Sequence, residues 1–542
     1  MNTFKLYLIS ALGGVFFALA FPPMPFNALA FIFIIPILFA LEQKPEHWYR
    51  LSYTFSFFLN LGTLWWVGSW QENADPFLMI SGIAIILFHP FFYFIVFYIY
   101  KFFRKRFNFN TALLLFPLIW TFYDWFTSKT DFAFPWIAAG YTQTNNFYWN
   151  QIADIGGVWL LGLFILYINV FIYKLIIQFV ENDFRIKSFL NINSVKKNIL
   201  LLLLLITVPL VYSAFKLNEF ENYSSAKKLK IAIIQPDIDP WDKWSMSTYD
   251  NINKHIKVQD SLLEANNKYD LALWSETSIT YSNPEMNSKP YNVPQLQNWV
   301  DKNNISIITG FSEIFFYDSI DSAPVTAKKY GNEDIFYQSY NSSILISPNK
   351  YNDTIQIYRK MILTPFSERL PYVEIFSFAQ DFIGWDVGIS NWGLGWNQSN
   401  LKCHLGENES FSIPSIICIE STQPNFVRKF AKNGAEIFTI ITNDAWFKYT
   451  FGPAQHFAIA QMRAIENKRF IARCSNSGIS GFINPTGTII KQAKPYCDTG
   501  TIEDIPAVNY ITIYSSIGDI FPYLSILILI YFISLNIFNK KK

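Results

Sequence analysis

The chain changes its hydrophobic rhythm twice. From Met1 to about Leu217 long apolar runs follow one another with little polar relief, and from Lys227 to about Asn509 the apolar stretches shorten and are broken by turn-forming and charged residues. One last long apolar run follows. A bilayer-spanning helix needs roughly 20 apolar residues, and that length selects residues 4–21, 28–41, 51–70, 77–100, 111–126, 158–180, 199–215 and 521–538. The first has the length of a signal peptide but lacks a small-residue cleavage site, so it is expected to be a retained helix. The second is short enough for a partly re-entrant segment. No internal repeat of the transporter kind interrupts the series.

The middle region reads differently. Short β-rich runs at 230–235, 271–274, 305–309, 342–346, 355–358, 413–419 and 437–442 alternate with helical patterns at 249–266, 294–302, 424–433 and 454–467. Strands alternating with helices predict a layered α/β fold with buried sheets. The expected organisation is a helical membrane domain of about seven spans over 1–217, a globular domain over 218–520, and a final span with a basic tail over 521–542.

Charge orients this arrangement. Lys44 and Arg50, then Arg104, Lys105 and Arg106, then Arg185, Lys187, Lys196 and Lys197 fall in alternate connections, and the last three residues are lysines. The intervening connections carry only Lys129. Basic loops stay cytoplasmic, so both termini are expected inside and 218–520 outside the cytoplasm. Composition agrees: 51% of residues are hydrophobic and 15% charged, against roughly 25% charged in soluble chains. A net charge of +2 points to neither nucleic acid nor an acidic partner. Cys403, Cys418, Cys474 and Cys497 have no metal-site or redox spacing, and no metal or cofactor is expected.

Glu276, Lys360 and Cys418 each stand at or just past the end of a predicted strand, where reactive groups gather in layered α/β folds. A thiol nucleophile needs an activating partner. His255, His404 and His456 lie in no recognisable cysteine–histidine context. A glutamate can instead accept the thiol proton, while a lysine favours the thiolate and holds the developing oxyanion. The Ile419 amide could supply a second oxyanion donor. Taken singly, a cysteine ending an apolar strand is ordinarily a core residue, and a glutamate there a cap or a surface charge.

The wording around each residue raises the stakes. Leu271-Ala-Leu-Trp-Ser-Glu276-Thr, Tyr358-Arg-Lys360-Met-Ile-Leu-Thr-Pro-Phe-Ser-Glu368 and Ile416-Ile-Cys418-Ile-Glu420 resemble the glutamate, lysine and nucleophile segments of the nitrilase superfamily, in that order. Thr442-Asn-Asp-Ala-Trp-Phe447, Gln455-His456, Arg463-Ala-Ile-Glu466 and Asn476-Ser-Gly-Ile-Ser480 resemble one branch, the apolipoprotein N-acyltransferases. Phe21-Pro-Pro23, Phe134-Pro-Trp136, Gly140-Tyr-Thr-Gln143, Ile231-Ala-Ile-Ile-Gln-Pro236 and Lys243-Trp244 extend the likeness over nearly the whole chain. Three positions depart from the family's pattern: Ile419 for Tyr, Ser367 for Gly and Ile362 for His.

The resemblance implies a multi-span α-helical membrane domain plus an α/β nitrilase-like domain, an αββα sandwich. It implies a Glu276–Lys360–Cys418 triad supported by Glu368 and Glu420, with Trp244, Asn341 and Trp446 shaping the substrate pocket. It implies ping-pong transfer of an acyl chain from a glycerophospholipid, phosphatidylethanolamine above all, through a thioester to the amine of a diacylated apolipoprotein, by a monomer. Two other readings remain: a membrane-anchored amidase or nitrilase with water as acceptor, and a transporter or receptor with a nitrilase-derived binding domain. The Phe-, Trp- and Gly-rich segment 376–396, with Trp385, Trp392 and Trp396, is expected to be a mobile arm dipping into the interface. Trp65-Trp66 and Phe134-Pro-Trp136 read as interface anchors and helix-end packing. Asp124, in or near a span, is a functional candidate by default.

Overall fold

Eight apolar runs become helices, but not eight separate crossings. The computed structural model describes residues 2–539 apart from 73, 75, 266, 281–293, 332, 333, 350–355, 376–390 and 407. Four helices are long and apolar enough to cross a bilayer: Thr3–Ala20, Pro76–Arg106, Ala153–Glu181 and Asn193–Phe220. The second and third runs form a bent pair, Asn27–Gln43 and Pro45–Thr63, turned through 118° at Lys44. Pro45 has no amide hydrogen to continue the first limb. Counting that pair once gives five among the described residues, fewer than the seven expected before residue 217. Two more apolar helices, Phe109–Phe126 and Ile520–Asn539, complete the bundle.

Lipid gives helices no hydrophobic reason to associate, so close backbone approach must supply it. Gly13 and Gly14 do this for the first helix. A Cβ on Gly14 would meet the Phe55 carbonyl oxygen at 2.1 Å, and one on Gly13 the Phe33 oxygen at 2.7 Å. The fully buried Trp120 ring then receives Phe17, Phe33 and Phe55 at 5.8, 5.5 and 6.0 Å between centroids. The first helix is thus an integral wall of the bundle.

The globular half has two sheets. The first orders its strands β14-β1-β2-β3-β5-β4, with β6 also on β5. Its members are β1 Lys228–Gln235, β2 Leu271–Leu273, β3 Ser306–Tyr317, β4 Lys328–Lys329, β5 Phe336–Ile346, β6 Gln356–Arg359 and β14 Thr499–Pro506. A two-stranded ribbon, β7 Leu401–Leu405 with β8 Glu409–Ile413, stands apart. The second sheet is β13-β12-β11-β10-β9, from β9 Ser415–Ile417, β10 Phe438–Thr442, β11 Ile471–Ser475, β12 Gly481–Ile483 and β13 Ile489–Gln492. Parallel triplets β1-β2-β3 and β9-β10-β11 form the centres.

Alternation along β1 sets the layers. Leu229, Ile231 and Ile233 join Ile416, Ile440 and Cys474 of the second sheet in one core. Ala232 and Ile234 face the other way, toward Ile252, Val258, Leu296 and Val300 of the helices Thr248–Glu264 and Pro294–Asn303. Phe430 and Ala464, from Pro424–Lys432 and Phe451–Asn467, cover the second sheet. The layers run helix, sheet, sheet, helix, as the resemblance implied.

The two halves are welded through helix Phe451–Asn467. Ile459, Met462 and Ile465 share one apolar cluster with the membrane helices. Gln455 Oε1 accepts the indole N–H groups of Trp66 and Trp136 at 3.0 and 2.8 Å, and its amide donates to the Thr63 carbonyl at 3.2 Å. The backbone kink at Gly156 and Gly157 leaves the Val158 amide to be taken by the Glu466 carboxylate at 2.8 Å. Trp65-Trp66 and Phe134-Pro-Trp136 are therefore joints between the halves. Removing the Gln455 acceptor strands two buried indole donors, at about 1–3 kcal/mol each. Gln455→Ala should destabilise the detergent-solubilised protein by about 2 kcal/mol or more, read as an earlier midpoint in thermal or denaturant unfolding; an unshifted midpoint would show that the joint is dispensable.

Candidate active site

Strand ends deliver the reactive groups. Glu276 follows β2, Lys360 follows β6, and Cys418 follows β9. The chain does not run straight through the cysteine as the sequence suggested. Cys418 takes φ +48° and opens a short 3-10 turn, Cys418–Thr422. A non-glycine residue in the left-handed region is strained and persists only where its surroundings enforce it. The turn presents the half-buried thiol at the strand end.

Lys360 is 1% exposed and lies between two carboxylates. Its Nζ donates to Glu276 Oε1 at 2.9 Å and to Glu368 Oε1 at 2.8 Å. Asn341, from β5, donates its amide to the same two oxygens at 2.8 and 2.9 Å. The Thr364 amide holds Glu368 Oε2 at 2.7 Å. Among the described residues, Glu276 Oε2 has no such donor and is the atom left to take up a proton. Burial alone would lower the lysine, but Glu276 and Glu368 outweigh it and raise its pKa well above the ordinary value. Glu368 is desolvated too, yet Lys360 and its hydrogen bonds hold it below the usual carboxylate range.

The thiol behaves otherwise. Desolvation pushes Cys418 well above the ordinary thiol value; Glu276 and Glu368 add to the rise and Lys360 opposes it. The sequence reading gave Lys360 the task of favouring the thiolate. At the thiol, desolvation together with the two carboxylates outweighs the one ammonium, which is the reverse of a field that favours the thiolate.

The supporting residues divide. Glu420 Oε1 accepts Tyr358 O–H and Met361 N–H, each at 2.7 Å, and Oε2 accepts Ile417 N–H at 2.9 Å. It ties the lysine segment to the nucleophile segment, and burial raises its pKa to about 7. Asn341 sits inside the charge network. Trp446 packs edge-on to Trp241 at 4.8 Å. Trp65, Trp70, Gln71, Asp239, Trp241 and Lys448 line an open groove of about 480 Å³ between the two halves. Trp244 is 48% exposed. Its neighbour Lys243 is buried instead, donating to the Glu276 carbonyl at 2.8 Å and Thr277 Oγ1 at 3.1 Å. Desolvation lowers its pKa to about 7.

Residues 376–390, with Trp385, lie outside the described residues. Trp392 is buried, and its amide donates to the Glu368 carbonyl at 2.8 Å, so it belongs to the frame of the site and not to a surface arm. Trp396 is exposed, with the Arg359 guanidinium 4.5 Å from its ring. Asp124 accepts the Ala139 amide at 3.0 Å and holds a turn of the membrane half. Sequence reasoning assigned no role to Asp444, Arg473 and Ser421, which converge behind the nucleophile with His456. Asp444 and His456 lay within the quoted motif words, whereas Ser421 and Arg473 lay outside them.

A glutamate–lysine–cysteine site on a four-layer αββα fold defines the class: the chain belongs to the carbon-nitrogen hydrolase family, whose model matches residues 230–509. Residues 13–171 match a second model, the apolipoprotein N-acyltransferase N-terminal domain. The apolipoprotein N-acyltransferase of Chlorobaculum tepidum is 29% identical over 96% of this chain and 94% of its own length. Those of Borreliella burgdorferi and Rickettsia prowazekii are each 27% identical, over 98% and 99% of this chain and 95% and 100% of their own. The branch is that of the apolipoprotein N-acyltransferases.

Because the thiol pKa is raised, alkylation of Cys418 by iodoacetamide should be slower at pH 7 than that of free cysteine. It should climb about tenfold per pH unit through pH 9 without levelling, since the thiolate fraction grows in that proportion below the pKa. A plateau below pH 8, followed by intact mass, would mean a thiolate already formed at rest.

Proposed function

We propose that this protein transfers an acyl chain from a glycerophospholipid, phosphatidylethanolamine by preference, to the N-terminal amine of a diacylglyceryl-cysteine apolipoprotein. The Cys418 sulfur attacks the ester carbonyl while its proton passes to Glu276 Oε2. Lys360 has three N–H groups, two of them committed to Glu276 and Glu368. The third, with the Ile419 amide, receives the oxyanion. Collapse breaks the ester C–O bond, Glu276 returns the proton to the departing glycerol oxygen, and a lysophospholipid leaves. The neutral α-amine of the acceptor then attacks the thioester, Glu276 takes its proton, and the amide forms as the sulfur departs and is reprotonated.

One observation carries this reading. Ile362 and Ile419, each one or two residues from the triad, pack in the same apolar cluster as the membrane helices. On the same side Phe132 meets Phe366 at 5.9 Å and Tyr372 at 5.6 Å between ring centroids. The catalytic face is therefore turned to the membrane half, which suits two substrates whose chains are each held in the bilayer by about 0.8 kcal/mol per CH₂. A water-soluble amide would need no such docking. We infer a multi-pass inner-membrane protein with cytoplasmic termini and a periplasmic catalytic domain, in line with the basic loops. It acts as a monomer, since one chain supplies every group.

Incubation of the purified protein with phosphatidylethanolamine should add one fatty-acyl mass that hydroxylamine removes, that Cys418→Ala lacks, and that a diacylated lipopeptide discharges. No adduct on the wild type, together with turnover of a small amide, would transfer the protein to the amidase reading.

A further inference from the structure

The peptide unit joining Cys418 to Ile419 is gripped from behind. Its carbonyl oxygen accepts the Ser421 hydroxyl at 2.7 Å and lies 3.3 Å from His456 Nε2. The same Nε2 is 2.9 Å from Ser421 Oγ, and the other ring nitrogen, Nδ1, is 3.0 Å from Asp444 Oδ1. Arg473 Nη2 at 2.7 Å and Thr442 Oγ1 at 3.0 Å fix Asp444. His456, Asp444, Ser421 and Arg473 are all buried. From the membrane half, Trp136 covers the imidazole with ring centroids 5.4 Å apart.

Hydrogen-bond arithmetic assigns the donors. The Cys418 carbonyl oxygen can only accept, so at this oxygen Nε2 acts as a donor beside the Ser421 hydroxyl, while Asp444 Oδ1 accepts at Nδ1. The Cys418–Ile419 amide therefore has its carbonyl end held by two donors and its N–H end at the place where the oxyanion forms. Donors at the oxygen polarise an amide and strengthen its N–H as a donor, as in any cooperative chain.

We propose that His456 is a positioning residue of the acyl-transfer step, acting through the Cys418–Ile419 peptide to fix and polarise the Ile419 amide for the oxyanion. It touches neither substrate nor sulfur. The relay Arg473–Asp444–His456 sets the ring, and Ser421 is the second hand on the same carbonyl. This rests on the acyl-enzyme chemistry above but not on which lipid is the donor.

Two reactions of the same sulfur separate this role from a structural one. Acylation by a short-chain p-nitrophenyl ester passes through an oxyanion, whereas alkylation by iodoacetamide at pH 9 does not. In full-length detergent-solubilised protein, His456→Ala should slow the p-nitrophenolate burst at least about tenfold, somewhat less than direct loss of an oxyanion donor. KM and the alkylation rate should stay within about twofold of wild type. His456→Gln, whose amide can reach the same oxygen, should recover part of the burst, and Ser421→Ala should show the same split more weakly. If His456→Ala fails to give a cooperative melt, the Gln and Ser421 variants carry the comparison. Parallel losses in burst and alkylation, or an unchanged burst, would overturn the proposal. A normal ester burst and split in a protein that takes no acyl group from phospholipid would uphold it while sinking the lipid-donor reading.

Discussion

A buried ammonium between two carboxylates is the constraint from which the site follows. Taking one charge out of water costs several kcal/mol, and only well-placed partners offset it. Lys360 has them in Glu276 and Glu368, and Asn341 binds the same two oxygens from the other side. Each partner comes from a different piece of chain, so the ammonium can be buried only once β2, β5, β6 and the loop after β6 are in register. The β3–β5 and β5–β6 ladders supply that register, pairing Ser312 with Asn341 and Ser342 with Arg359. The site is thus as ordered as the sheet beneath it.

The same charges decide how the nucleophile is used. One ammonium shared by two carboxylates leaves an excess of negative charge, and the thiol beside them holds its proton. A protonated resting cysteine is a poor target for stray electrophiles. In the proposed reaction it becomes reactive only when an ester carbonyl arrives close enough for Glu276 to take the proton as the S–C bond forms, so access past the membrane half would govern the chemistry. Helix Phe451–Asn467 links the two: Gln455 holds the indoles of the membrane half, and the next residue, His456, holds the carbonyl of the nucleophile.

What the sequence made legible was what local chain carries. Glu276, Lys360 and Cys418 were visible because each follows a short apolar strand whose neighbours have characteristic wording, and Glu368 travels eight residues behind its lysine. Asn341 was visible as a site residue but not in its role, because only the β5 register sets it against both carboxylates. His456, Asp444 and Arg473 meet across 12 to 29 positions, and His456 reaches Cys418 across 38, distances at which no hydrophobic period reports contact. The difference between the expected spans and the helices long enough to cross has a related reason. Apolar length records burial in lipid or protein alike, and the limbs on either side of Lys44 are apolar whether they cross twice or bend once.

Ile419 shows why a departure next to a nucleophile need not disable it. Its side chain is buried in the cluster it shares with Ile459, Met462 and the membrane helices, so it is apolar packing at the joint between the halves. The chemistry proposed for this position belongs to its backbone amide, which every residue except proline possesses. A tyrosine here would bring a hydroxyl needing a partner; isoleucine brings none and leaves none unmet. The geometry of the amide is fixed from the opposite side, by Ser421 and His456 on the preceding carbonyl. Side-chain identity at 419 and oxyanion support are therefore separable properties of one residue, and the first can drift while the second is held.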